Sequence, residues 1–265
     1  MKWGKYLSMT AVLALAVHAS AATVNLTFSG VSPGESESVS FNGGSNVSTT
    51  AGAMDFAVGT PNNVPGIITA SSITSYCIEG TQSISHGNNV NYTVLGPGQG
   101  SFTSVFTNSG LVSAFFNQYY NTVLSATTSS QKNEYNSAFQ LAIWELVYDG
   151  TSDKPHTGDH NDSRWFTSGD FEIEHSTWGW NAVGPTGSDF SNPEINLAET
   201  WLDGFNTSTT GIWQIYQLSN GTKQDQVFAV QGVGAPTPTP LPAALPASLG
   251  LIGSLAAVRK LRKKA

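Results

Sequence analysis

Cys77 is the only cysteine in this chain of 265 residues, and its thiol is a potential nucleophile. A single cysteine has no partner for a disulfide within its own chain. Two ordinary interpretations stay open. A free cysteine is often a small buried hydrophobe, and Cys77 with His86 could form a cysteine hydrolase, although the sequence around Cys77 lacks a recognised nucleophile motif.

Gln140 lies on the strongest predicted helix, beside its apolar stripe. Asn136, Trp144 and Tyr148 follow the same flank at four-residue spacing, so a large indole lies one helical turn from the amide of Gln140. Cys77 and Gln140 are 63 positions apart. Only the tertiary fold could bring these two side chains together.

The first 22 residues have the organisation of a secretory signal peptide. Lys2 and Lys5 precede an apolar run over 7–17, and small residues follow over 19–22. Cleavage after Ala21 and cleavage after Ala22 both fit, and a buried N-terminal helix is the structural alternative. Export makes a lone thiol unusual, because cysteines of exported proteins are commonly paired in disulfides.

The C-terminal residues are predicted to form a second targeting segment. Residues 233–242 form a Pro- and Thr-rich spacer, and residues 243–265 join an apolar stretch, interrupted by Pro246, Gly250 and Gly253, to a basic end. The apolar stretch over 243–258 is 16 residues long. A helix needs roughly 20 residues to cross a bilayer comfortably, so this stretch is short for a membrane span. The tail resembles the PEP-CTERM sorting signal of Gram-negative bacteria, with Thr239 in place of the usual glutamate. The resemblance implies transient inner-membrane anchoring and processing by an exosortase; a plain tail anchor is the alternative.

The mature region is strongly acidic. Outside the predicted signal peptide and the C-terminal sorting segment, the chain has four cationic residues and all 18 of its acidic residues, which gives a formal charge of −14. The four cationic residues are Lys132, Lys154, Arg164 and Lys223. This charge disfavours nucleic acid and anionic lipid as partners. His156, Asp159, His160, Asp162 and His175 share one polar loop, but their spacing matches neither a calcium loop nor a zinc helix, so no metal and no other cofactor is predicted.

Residues 23–232 are long enough for one domain with a sizeable core. Patterning predicts strands over 23–28, 36–41, 66–73, 75–78, 90–95, 212–218 and 226–230, and helices over 111–124, 131–148 and 193–202. Ser129 or Ser130 is the expected N-cap of the second helix, and Asp149-Gly150 its end. The expected fold is α+β, a β-rich barrel or sandwich with a helical insertion.

Two blocks resemble the signatures of bacterial thioester domains, in which a cysteine and a glutamine form an internal thioester. The first is Tyr76-Cys77, and the second is the helical run from Phe139 through Gln140 to Trp144. The strand block 224–227 resembles the end of such domains. The resemblance identifies Cys77 and Gln140 as the cross-linked pair in a covalent adhesin of the cell surface or extracellular matrix, acting once and not as an enzyme.

The resemblance also implies a partner macromolecule that carries an amine or a hydroxyl. Tyr76, Phe139 and Trp144 are candidates to shield the thioester from water, and Glu145 or a nearby histidine is a candidate proton acceptor for the incoming amine. A different hypothesis is carbohydrate or matrix binding through exposed Trp165, Trp178 and Trp180. A passive envelope or biofilm-matrix protein without thioester chemistry is the remaining alternative.

Overall fold

The computed structural model describes residues 22–97, 108–151, 165–166, 169–173 and 192–232. These residues form seven strands and three helices, and the predicted α+β class is confirmed. In chain order the elements are β1 (Thr23–Phe41), β2 (Val47–Asn62), β3 (Ser72–Cys77), β4 (Asn89–Leu95), α1 (Ser109–Leu124), α2 (Ser129–Tyr148), β5 (Phe171–Ile173), α3 (Pro193–Asp203), β6 (Trp213–Ser219) and β7 (Gln226–Gln231).

The sheet closes on itself as a barrel. Its strand order is β2-β3-β7-β6-β4-β1-β5, and β1 also pairs with β2, which joins the two sides of the ring. The first part of β1, Thr23–Thr27, pairs with β4, whereas its last residues, Val39–Phe41, pair with β5 outside the ring. The helices α1 and α2 follow β4, and α3 precedes β6, so the helical region is an insertion between neighbouring strands.

The long hairpin of β1 and β2 is built around a close approach of two glycines. Gly34 is the register partner of Gly52, and a Cβ added to Gly34 would lie 2.6 Å from the carbonyl oxygen of Ala51. Helix α2 is tied to this point by Ser137, whose hydroxyl accepts from the Glu35 N–H (2.8 Å) and donates to the Ala51 oxygen (2.9 Å). The hairpin and the helix are therefore held together by one hydroxyl.

Helix α2 is buried on every side from Asn136 to Val147, because the sheet covers one face and α1 and α3 pack on others. Its N-cap is Thr128, not Ser129 or Ser130 as predicted. The Thr128 hydroxyl accepts from the Gln131 N–H, and the Gln131 side chain accepts in return from the Thr128 N–H, so the two complete a capping box. The helix ends at Asp149 and Gly150, as expected, with Gly150 in the left-handed region at φ +70°.

The strand prediction was wrong in four places. Residues 23–28 and 36–41 belong to one continuous strand, and β2 and β5 were not predicted at all. The expected strand 66–73 begins only at Ser72, because Asn62 binds the backbone of the preceding turn: its Oδ1 accepts from the Val64 N–H (3.0 Å) and its Nδ2 donates to the Ile68 oxygen (2.9 Å).

No helix in the described part of the chain is long and apolar enough to span a membrane. The predicted signal peptide apart from Ala22, the spacer over 233–242, the sorting anchor over 243–265 and the polar histidine loop all lie outside the described residues.

Candidate functional site

Cys77 and Gln140 are neighbours in the fold. The Cys77 N–H donates to Gln140 Oε1 and Gln140 Nε2 donates to the Cys77 carbonyl oxygen, both at 2.8 Å. On the other side Cys77 pairs with Gln226 of β7. Strand β2 pairs with β3 only as far as Ser75, so the carboxamide of Gln140 takes the position that a strand would otherwise occupy beside Cys77.

The predicted flank of α2 is the row that holds this arrangement. Asn136, one turn before Gln140, accepts from the Tyr76 hydroxyl at 2.6 Å. Tyr148, two turns after Gln140, accepts from the Gly80 N–H at 2.8 Å. Helix and strand are therefore joined on both sides of the Cys77 and Gln140 pair, which fixes the carboxamide against the backbone of Cys77.

The environment of Cys77 keeps its sulfur protonated. Cys77 is 2% exposed and Gln140 is 1% exposed, and Sγ donates to the Glu79 carbonyl oxygen at 3.1 Å. Burial raises the pKa of the Cys77 thiol to about 12, while hydrogen bonding to Trp144 acts in the opposite direction. The Trp144 indole N–H is buried and makes no hydrogen bond of ordinary length, so burial dominates the pKa of the thiol.

A cavity of about 410 Å³ reaches the pair. Cys77, Gln140 and Trp144 contribute to its lining, together with consecutive residues of β2 (47–50) and of the loop after β3 (80–84). Apart from Cys77, no ionisable side chain of the described residues lines it. The polar groups in the lining are hydroxyls and amides.

Phe41 packs on the indole side of this site, and no sequence pattern predicted this contact. Its ring meets Trp144 edge-on (centroids 5.4 Å apart, 82° between planes) and stacks on Phe171 (5.4 Å, 30°). A Cβ at Gly80 would collide with the Phe41 ring. The chain after Cys77 can therefore pass close to Phe41 only because position 80 is glycine. Asp149 supports the same packing by accepting from the Phe171 N–H at 2.8 Å.

The strand block 224–227, which resembles the end of thioester domains, lies beside the site. The Gln224 side chain donates to the Glu79 carbonyl oxygen (3.0 Å), and the Ile78 N–H donates to the Asp225 carbonyl oxygen (3.1 Å). Gln224 also lines the cavity. This block fixes the backbone that follows Cys77.

The predicted shielding and helper residues separate into two groups. Trp144 lines the cavity. Tyr76 and Phe139 instead pack on each other (4.9 Å between centroids) inside an aromatic cluster that includes Phe115, Phe116 and Trp201. Glu145 is fully buried on α2 and does not line the cavity.

The structure gives no support to the two alternative sites that involve described residues. His86 is exposed and lies outside the cavity lining, so it is not placed as a base for Cys77. The expectation that Trp165 is an exposed binding platform is wrong: it is 2% exposed and its indole N–H donates to Asp203 at 2.9 Å. Trp178 and Trp180 lie outside the described residues, and within those residues no cluster of three or more His, Cys, Asp or Glu side chains could hold a metal.

Residues 74–167 match the family model of the thioester domain. The matched stretch contains both Cys77 and Gln140 and spans less than half of the chain. Among solved structures, the chain is similar to the N-terminal thioester domain of a surface protein from Clostridium perfringens, with 12% identity and a TM-score of 0.40, over 78% of this chain and 99% of that one. A comparison with curated proteins gave no match.

Proposed function

We propose that Cys77 and Gln140 form an internal thioester, and that the protein uses it to attach covalently to a macromolecule that carries an amine or a hydroxyl. The observation that carries the proposal is the reciprocal pair of hydrogen bonds between the Cys77 backbone and the Gln140 carboxamide at a buried site reached by a cavity. The match of residues 74–167 to the thioester domain supports the same two residues.

Formation of the bond needs no other reactant. The Cys77 sulfur attacks Gln140 Cδ, and the Cys77 N–H already points at Oε1, where negative charge develops. The carbon–nitrogen bond then breaks, the thiol proton passes to the departing nitrogen, and ammonia leaves. The Trp144 indole N–H assists by favouring the thiolate form of the nucleophile.

In the reaction with the partner, the sulfur is the leaving group and no longer the nucleophile. An amine attacks the thioester carbonyl, the carbon–sulfur bond breaks, and the amine proton passes to Cys77, leaving an amide between Gln140 and the partner. A hydroxyl would give an ester in the same way. Because burial raises the pKa of the Cys77 thiol to about 12, the sulfur is a poor leaving group until it receives a proton, and this lengthens the lifetime of the thioester in water. Each molecule reacts once, so the protein is not an enzyme.

Delivery follows from the two ends of the chain. The signal peptide over 1–22 directs export, and the spacer and anchor over 233–265 hold the chain transiently in the inner membrane until an exosortase removes the tail. The thioester domain over 23–232 then reaches the cell surface or the extracellular matrix, where the target is located.

Intact-protein mass spectrometry tests the thioester. The purified protein should lack one ammonia relative to its sequence and gain one methylamine on treatment, whereas Cys77→Ala and Gln140→Ala should show neither change. Thr122→Ala, an exposed position on α1 outside the cavity lining, is the matched control and should behave as wild type. A full sequence mass with Cys77 freely alkylated after denaturation would overturn the proposal. Capture of the natural target by Cys77→Ala would instead favour non-covalent matrix or carbohydrate binding.

A further inference from the structure

One side of β2 is open where it borders the cavity. Along its whole length β2 pairs with β1, but with β3 it pairs only through Met54–Ala57. Among the described residues no strand pairs with the other side of Val47–Thr50, which we call the open edge. Val47, at its start, is 46% exposed. Ala51, the next residue, turns its carbonyl oxygen towards β1, where the Ser137 hydroxyl of α2 binds it.

The open edge presents backbone to the cavity. Side chains of a strand alternate between its two faces, so a strand that turned one face to the cavity would contribute every second residue to the lining. The lining contains the four consecutive residues 47–50, then Gly52 and Met54 at alternate positions, and five consecutive residues, 80–84, of the loop after β3. The cavity therefore has two walls of consecutive residues, the open edge and the 80–84 loop, in which main chain as well as side chains borders the space, and the Cys77 and Gln140 pair lines the same cavity.

An unused acceptor lies in the second wall. Gln82 lines the cavity, and its Oε1 is buried without a hydrogen-bond partner. A buried acceptor without a donor is unfavourable, and the backbone N–H groups of an incoming chain would supply the donor. Among the rings in the lining, Trp144 is 2% exposed and Phe28 is 5% exposed, and the half-buried Phe41 ring is already packed against Trp144 and Phe171.

Charge further limits the class of molecule that could bind in the cavity. No ionisable side chain other than Cys77 is present in the described lining to pair with charged groups of a bound segment. The mature region as a whole carries a formal charge of −14, from four cationic and 18 acidic residues, which attracts a cationic group from a distance. A single lysine flanked by uncharged residues satisfies both conditions.

We propose that the open edge of β2 accepts an extended polypeptide segment of the partner as an added strand, and that this segment presents a lysine to the thioester. Main-chain hydrogen bonds to Val47–Thr50 and to Gln82 would hold the segment, and the lysine side chain would reach down to Gln140. This inference rests on the proposed thioester and names the form in which its target is recognised.

Peptide probes with a modified backbone test the proposal on the full-length protein. The parent probe is a seven-residue peptide of Thr and Val with a central lysine and blocked ends. One derivative is N-methylated at the odd positions and the other at the even positions, with all side chains unchanged. Because alternate N–H groups of a strand face its neighbour and the others face the 80–84 wall, one derivative should lose about tenfold or more in adduct formation, while the other should lose no more than Gln82→Ala loses with the parent peptide.

Labelling with methylamine tests thioester formation separately from strand addition. Gln82→Ala should lower the rate with the parent peptide and leave the rate with methylamine unchanged. Equal rates for the parent and both N-methylated peptides, with normal methylamine labelling, would overturn strand addition and leave the thioester intact. Faster adduct formation with dextran than with the parent peptide would also overturn it, in favour of a glycan target. Absence of methylamine labelling in the wild-type protein would instead contradict the proposed function.

Discussion

At the scale of single residues, the reactivity of Cys77 is set by what surrounds it. The thiol is buried, so its pKa rises to about 12 even though Trp144 favours the thiolate. Its backbone, not its side chain, makes the two bonds to Gln140. The site therefore positions the glutamine carboxamide with main-chain groups, while the sulfur donates to the Glu79 carbonyl oxygen.

The raised pKa predicts how Cys77 behaves when it cannot form a thioester. In Gln140→Ala the thiol stays free, and because only the thiolate is alkylated, the rate with iodoacetamide should increase about tenfold per pH unit between about pH 7 and pH 9. Stopped-time mass spectrometry on the native variant measures this rate. The denatured variant is the control, since its thiolate fraction should level off near the ordinary pKa of cysteine. A plateau at about pH 8 in the native protein would contradict the assignment.

At the scale of elements, the site depends on three segments that meet at Cys77. Helix α2 supplies Gln140 and Trp144, β7 pairs with β3 on the other side, and the end of β1 supplies Phe41 as a cover. The first two contacts hold Cys77 and Gln140 together, and we expect the third to limit the access of water to them. Loosening the cover should therefore affect lifetime more than formation of the thioester.

Gly80→Ala tests the cover. The new methyl group would collide with the Phe41 ring, which Trp144 and Phe171 hold in place. We expect a loss of stability of about 1–3 kcal/mol and faster hydrolysis of the thioester, measured as a shorter half-life of methylamine labelling in buffer. Gly66→Ala is the control, because a Cβ there meets nothing within 4 Å. Unchanged half-lives in both variants would show that Phe41 does not limit access.

A second test concerns the contact between β1 and α3. Glu37 is buried and hydrogen-bonds with Glu194, and burial, followed by this neighbour, raises the pKa of Glu37 from its ordinary value of 4.5 to about 8. A carboxyl with a raised pKa binds its proton more tightly in the folded state, so its contribution to stability is greatest below about pH 4.5 and is lost as the pH rises towards 8.

The free energy of unfolding should consequently fall between about pH 5 and pH 8, and Glu37→Gln should flatten this dependence because an amide keeps a donor and does not ionise. Urea unfolding at several pH values measures the slope. Glu134→Gln, at a partly exposed position on α2, is the control and should keep the wild-type slope. A wild-type slope in Glu37→Gln would contradict the role of this pair.

At the scale of the whole molecule, the proposed bond links two parts of the chain that are 63 residues apart. It joins the closed sheet to the helical insertion, so it would restrict the unfolded chain as a disulfide of that loop length does. The chain-entropy relation for such a loop gives about 4 kcal/mol. The thioester is thus expected to stabilise the fold as well as to store reactivity.

Methylamine treatment tests this directly, because it opens the cross-link without a mutation. Treated wild-type protein should unfold at a lower temperature than untreated protein, and untreated Cys77→Ala should unfold near the treated wild type. Differential scanning calorimetry provides the comparison, and methylamine-treated Cys77→Ala controls for any effect of the amine on the solvent. A treated wild-type protein as stable as the untreated one would show that the bond does not stabilise the fold.

The sequence by itself determined the parts of this protein that depend on local patterning. Helix α2 was predicted almost to its ends, because apolar residues repeat at helical spacing and Asp149-Gly150 ends the pattern. The flank from Asn136 to Tyr148 followed from the same periodicity. Cys77 and Gln140 were singled out by residue type and family resemblance, and the fold class by the order of strand and helix signals.

Only the tertiary structure decided how these parts meet. Strand β2 has glycines and small residues in place of a clear alternation, so its existence depends on pairing with β1. Phe41 comes to the site from a distant segment, and its contacts with Trp144 and Gly80 are encoded by no local pattern. The exposure of the Trp165 side chain was predicted wrongly for the same reason, since burial is a property of the packed molecule. The sequence identified the two residues that could react. The pairing of β1 with β2, the packing of Phe41 over the site and the open edge of β2 depend on long-range packing.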